Sequence, residues 1–238
     1  MCLLAKAHLN FFSSFFKEVI FLKDEKQLIQ KTAINPTAIV NPVPPVLVSC
    51  KNGDKINMLT IAWTGIICTK PSMTYISVRP ERYSYDIIKE SGEFVINLAT
   101  RDIVKSLDFC GVRSGRDIDK LKETGLTAFD SREVSAPGIL ECPVNIECRV
   151  KEIIPLGSHH MFLAEVVGVS VSNKLIDKDG KIQLEKANLL AYAHGEYYEL
   201  GKILGTFGFS VMKKKTAQRR ARASNYKKKQ KGTSKKAK

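Results

Sequence analysis

The chain has 238 residues, and its 38 Lys and Arg against 24 Asp and Glu give a formal net charge of +14. Thirteen of the basic residues and none of the acidic ones lie in residues 213–238, which leaves 25 basic against 24 acidic residues in the body. An even charge balance excludes a broadly basic, polyanion-coating body, and an apolar share of 44% is that of an ordinary globular protein of one large or two small domains.

Residues 1–30 form an extension, read as one amphipathic helix because Leu9, Phe12, Phe16, Val19 and Ile20 fall near helical spacing. Lys6, Lys17 and Glu18 interrupt its apolar run, so neither a membrane span of about 20 residues nor a signal peptide is expected. A folded domain is expected over residues 31–212. It begins with a Pro-rich entry, Asn35 to Pro45, and a short apolar strand, Val46 to Cys50. Asn52-Gly53 signals a hairpin. Thr60 to Ile67 is β-prone, and the only Trp, Trp63, is expected in the core or on a pocket wall. Thr69-Lys70-Pro71 turns the chain into a strand from Met73 to Val78, which Pro80 ends.

A short helix, Tyr85 to Ser91, is expected next, with Ser84 as its N-cap, Asp86 in its first turn and Gly92 just past its end. A helix N-terminus with the Arg82 guanidinium and the Ser84 hydroxyl beside it suits a phosphate. The alternative is a plain cap with a solvated arginine. Glu93 to Leu98 is a compact strand containing Asn97. Thr100 is expected to cap a helix over Arg101 to Phe109, closed by Cys110-Gly111. The loop Arg113-Ser114-Gly115-Arg116-Asp117 then leads to Lys120.

Val144 to Ile153 alternates, with Asn145, Glu147, Arg149 and Lys151 on the face expected to meet solvent. Met161 to Val171 reads as a central strand, preceded by Gly157-Ser158-His159-His160. A hairpin is expected around Asp179-Gly180, and Leu189 to Leu200 is rich in Tyr. Gly201 to Val211, with its Gly and Phe residues, is expected to pack tightly. No G-x-G-x-x-G follows a strand, so there is no Rossmann signal. The six scattered Cys form no C-x-x-C pair and no His lies at ligand spacing, so no metal site is expected, and the setting reads as reducing and cytoplasmic. Residues 213–238 read as a disordered basic tail with non-specific affinity for polyanions.

The stretch TIAWTGIICTKPSMTYISVRPERYSYDIIKESGEFVINL resembles the flavin reductase-like family, and in particular its flavoredoxin-type branch. FCGVRSGRDIDKL, PLGSHHMFLAEV and HGEYYELGKILGTFGFSV continue the resemblance over roughly Asn35 to Val211. It implies a mainly β fold with a few short helices: an FMN-binding split β-barrel, Greek-key-like and closed, usually a homodimer. It also implies bound FMN as cofactor. Ring and ribityl contacts are then expected from Thr60, Trp63, Thr64, Gly65, Ile66, Cys68, Thr69 and Lys70, with Lys70 near the pyrimidine edge. Phosphate-side contacts are expected from Arg82, Ser84, Ser114, Arg116 and Lys120, with Asn97 among the cofactor-binding residues. His159 falls at a family position near the flavin face, where a His can orient a nicotinamide or supply a proton.

Three functions are compatible with this reading. One is an FMN-dependent oxidoreductase drawing electrons from NAD(P)H or a protein donor. Another is a non-catalytic electron carrier of the flavoredoxin kind. The last is a polyanion-binding protein acting through its tail, whose binding would fall steeply with salt.

Overall fold

The apolar run starting at Val46 becomes the strand on which the sheet is built. The structure is a computed structural model, and it describes residues 31–213, 216, 218 and 219. The expected N-terminal helix lies outside the described residues, as does nearly all of the basic tail. Strand β1 (Val46–Asn52) pairs with β2 (Lys55–Ile61) through a hairpin whose two turn residues are Gly53 and Asp54. Gly53 has φ +58°, which suits a residue without Cβ. The turn is therefore centred one residue later than Asn52-Gly53.

The β-prone run Thr60 to Ile67 is divided. β2 ends at Ile61, and β3 (Thr64–Thr69) begins after Ala62 and Trp63. Lys70 and Pro71 turn β3 into β4 (Ser72–Val78). Helix α1 (Tyr83–Ser91) follows, then β5 (Glu93–Leu98), helix α2 (Val104–Val112), helix α3 (Lys120–Thr124), and the short pair β6 (Ala128–Phe129) and β7 (Gly138–Ile139). The long hairpin β8 (Val144–Pro155) and β9 (His160–Val171) comes next, and a last hairpin joins β10 (Leu190–Ala193) to β11 (Glu196–Glu199).

Seven strands form one antiparallel sheet in the order β2-β1-β5-β8-β9-β4-β3. The fold is thus mainly β with a few short helices. The expected closure is not found: β2 and β3, consecutive in sequence, are the two edges of the sheet and do not pair. The break at Ala62-Trp63 is the physical reason, because the chain leaves one edge and enters the other without a shared ladder.

Strand β1 is buried on both faces. Val46, Val48 and Cys50 join Phe94, Ile96, Phe162 and the α1 residues Tyr85 and Ile88 in one core. Leu47 packs on the opposite face with Met58, Leu107 and Ile139, under α2. Burying each large apolar side chain contributes about 1.5–3 kcal/mol, so this double-sided strand anchors both layers.

Four local expectations need correction. Helix α1 starts two residues early, with Arg82 at its N-cap making no side-chain cap bond, so Ser84 is the second helical residue and not the cap. Gly92 ends the helix as expected, at φ +68° with its N–H donating to Ile88 O. Thr100 makes no side-chain cap bond; a 3-10 turn, Arg101–Ile103, leads into α2, which runs through Cys110 and Gly111 to Val112. The β8 face expected to meet solvent is covered in its first half. Glu147 accepts from the N–H groups of Arg132 (3.1 Å) and Glu133 (2.7 Å), and Asn145 is buried beside Ile139. Last, Gly201 to Val211 does not pack: Leu204 is 95% and Val211 84% exposed. Among the described residues no helix is long and apolar enough to cross a membrane.

Candidate functional site

Two adjoining cavities of about 360 and 230 Å³ share Leu59, Thr60, Arg79, Arg82 and Gly111 in their walls and form one cleft. The end of β2 supplies its floor. Helix α2 stands on one side, held by the Thr60 hydroxyl donating to Leu107 O. Helix α1 enters at the junction of the two cavities. The cleft therefore follows from two breaks in the chain: the end of β2 at Ile61, and the Pro80 stop that turns β4 into α1.

The larger cavity is the aromatic end. Trp63 stands in its wall, 47% exposed, with its ring parallel to that of His159 at 6.3 Å between centroids. Trp63 is thus a pocket wall and not core. Tyr192 and Tyr197 of the β10–β11 hairpin form another wall. This hairpin is fastened by a two-way backbone pair between Val43 and Tyr192, and by Tyr197 Oη donating to Asp108 at 3.2 Å. Burial, and then the Asp108 charge, push the Tyr197 hydroxyl up to about 12, so it stays a donor. Burial first, and then the charge of Arg79, hold His159 below the ordinary histidine value. This favours the neutral imidazole, whose Nδ1 lies 2.9 Å from Ser158 Oγ.

The smaller cavity is the cationic end. Arg82 reaches Gly111 O with one nitrogen (3.1 Å), leaving the rest of its fork free. Lys120 is only 5% exposed, and its ammonium donates to Met58 O and Cys110 O, both at 2.7 Å. Among the described residues neither Arg82 nor Lys120 forms an ion pair with a carboxylate. Burial lowers the Lys120 pKa; nearby Cys110 partly opposes this, and Arg82 adds to it. A buried ammonium beside a guanidinium, with no acid between them, is a place where an anion would be stabilised. The residues present therefore fit a phosphate at this end and a flat ring at the other.

The expected site residues divide into three groups. Thr60, Trp63, Arg82 and His159 line the larger cavity, and Thr60, Arg82, Ser84, Ser114, Arg116 and Lys120 line the smaller. Thr64, Gly65, Ile66, Cys68, Thr69 and Lys70 lie on β3 and its turn, outside both walls; Thr64 donates to Tyr75 O, and Ile66 is 85% exposed. Asn97 is fully buried in the core and lines neither cavity. Sequence reasoning missed Asn57, Arg79 and Asp108. Asn57 had a signal: an Asn inside a β-prone run is disfavoured unless something needs it.

Residues 40–201 match the family model for a flavin reductase like domain. An uncharacterized protein of Archaeoglobus fulgidus is 33% identical over 128 residues, 54% of this chain and 71% of that relative. The structure of flavoredoxin from Desulfovibrio vulgaris (Miyazaki F) is similar at a TM-score of 0.72 and 30% identity, covering 76% of this chain and all of the other. A flavoredoxin from Methanosarcina acetivorans is similar at a TM-score of 0.70 and 27% identity, covering 77% and 100%.

Proposed function

Because the chain belongs to the flavin reductase-like family, we propose that it is a flavoprotein oxidoreductase that holds FMN in the cleft and passes electrons from NAD(P)H or a protein donor to a flavin or other acceptor. The observation that carries this reading is the polarity of the cleft, with Arg82 and Lys120, neither paired with an acid among the described residues, at one end and aromatic walls at the other. When bound, FMN supplies hydride acceptance and electron release. Arg82 and Lys120 hold the phosphate by charge-assisted bonds. Trp63, Tyr192 and His159 line the ring end and exclude water. A neutral His159 suits orienting a ring at pH 7 better than donating a proton there.

The test is the visible spectrum of protein purified without added cofactor, with chromatography of whatever is released on boiling. A two-band flavin spectrum with FMN in the supernatant is the expected result. Colourless protein that takes up no added FMN would end this reading. Steady oxidation of NADH or NADPH with an added acceptor separates the enzyme from a carrier reduced only by a protein. Arg82→Ala is expected to weaken FMN binding by about 1.5–3 kcal/mol, measured by flavin fluorescence titration.

A homodimer is part of the proposal. Ile66 and Ile67 on edge strand β3, and Val112 at the cleft rim, leave apolar surface open. Light scattering should give twice the 26.6 kDa chain mass; a single-chain mass at micromolar concentration would remove this part.

A further inference from the structure

Asn57 is 5% exposed and belongs to none of the groups assigned above. Three segments converge on its side chain. Its Nδ2 donates to Ser84 Oγ at 2.7 Å, joining β2 to the first turn of α1. On its other side the 113–116 loop lies so close that a methyl group on Gly115 would run into Asn57 Oδ1 and the Tyr83 ring. One residue further along β2, Met58 O accepts from Lys120. Asn57, Ser84, Gly115 and Lys120 all line the cationic cavity.

The direction of the Asn57–Ser84 bond has a chemical consequence. A serine hydroxyl has one proton and two lone pairs. Since Ser84 Oγ accepts from an amide that can only donate there, its own proton is left for another acceptor. The neighbouring Cys50 is pushed up to about 12 by burial, against the lowering effect of the Ser84 side chain and Asn57 O, and is therefore a neutral thiol, which itself donates to Asn57 O (3.6 Å). It holds no negative charge to claim the serine proton. A donor chain running amide to hydroxyl to anion is also polarised in one sense, which strengthens its last bond.

We propose that Asn57 is a positioning residue of the cationic end: it turns the Ser84 hydroxyl proton toward the cleft, and so sets the preference for a phosphorylated ligand over its unphosphorylated form. The assignment rests on the flavin reading above. It predicts that Asn57 acts through Ser84 and only on the phosphate.

The experiment compares FMN with riboflavin by fluorescence titration on the full chain. The proteins are wild type, Asn57→Ala, Ser84→Ala and the double variant. Each single variant is expected to lose at least about tenfold in FMN affinity, one charge-assisted bond, with riboflavin unchanged within about twofold. The double variant should be no worse than Ser84→Ala, because the two residues form one path. Should the alanine variant fail to fold, Asn57→Asp keeps the volume. It takes the serine proton for itself, with the same loss expected for FMN only. Equal losses for both ligands, or losses that simply add in the double variant, would overturn the positioning role while leaving FMN binding in place. Wild-type protein that binds neither flavin would overturn the function and this assignment together.

Discussion

Lys120→Met is expected to lower FMN affinity by about 10- to 150-fold and to remove most of its dependence on pH above 7. The first part follows from the loss of one charge-assisted contact, about 1.5–3 kcal/mol. The second follows from burial. The Lys120 ammonium sits in the floor of the cavity, held by two carbonyls and unmatched by any acid in the described ion pairs. Its pKa is lowered, chiefly by burial, with Cys110 acting against this and Arg82 in the same sense. A bound dianion favours the ammonium, so binding takes up a proton wherever Lys120 is partly neutral. FMN affinity should therefore fall as pH rises through the lowered pKa. Above about pH 7 the phosphate itself is already dianionic and adds no slope.

For the protein without ligand the sign is the reverse. The folded pKa lies below the unfolded one, so the unfolded chain binds more protons between the two values. Stability then rises with pH across that window. FMN titrations from pH 7.5 to 10 on wild type and variant test the first statement, and denaturant unfolding of the unliganded proteins over the same range tests the second. A variant that binds as tightly as wild type would remove Lys120 from the phosphate site.

Asn97→Ala is expected to destabilise the fold by about 3–5 kcal/mol, without a selective effect on the phosphate of a bound flavin. The Asn97 amide donates to Leu47 O (2.9 Å) and Ser49 Oγ (2.9 Å), and its oxygen accepts from Ile139 N (3.0 Å) and Asn145 Nδ2 (2.8 Å). Ser49 in turn donates to Pro137 O. These bonds tie β5 to β1, to β8 and to the β7 segment within the buried core. Truncation would strand several buried donors and acceptors, each costing about 1–3 kcal/mol. For a domain of this size that corresponds to a fall in Tm of roughly 6–20 °C. Thermal melts check the magnitude. A variant with normal Tm but weakened flavin binding would return Asn97 to the cofactor site, where the family resemblance had placed it.

Asn97 illustrates where sequence reading reaches its limit. An asparagine at the end of an apolar strand has two outlets, a ligand or a polar network inside the core. Only the positions of Ser49 and Asn145, 48 residues away on either side, decide between them. Ser84 is similar. Its place before an apolar run reads as a cap, yet Arg82 occupies that position and Ser84 is drawn inward by Asn57. Glu147 fits the solvent side of an alternating strand, but a distant loop supplies two N–H groups and buries it.

The sequence by itself determined the family, the strands β1, β4, β5, β8 and β9 to within a few residues, the Gly92 helix stop, and Arg82 and His159 as cleft residues. These are written in local patterns: runs of β-branched residues, turn glycines, and the order of several short motifs. Tertiary structure alone decided that the sheet stays open between β2 and β3, and that Asn97 belongs to the core. It also decided that Lys120 is a buried cation paired with no acid among the described residues, and that Thr64–Thr69 is an edge strand of the sheet. Each depends on which atoms from remote segments surround a side chain, and so on desolvation and hydrogen-bond partners that no local spacing encodes.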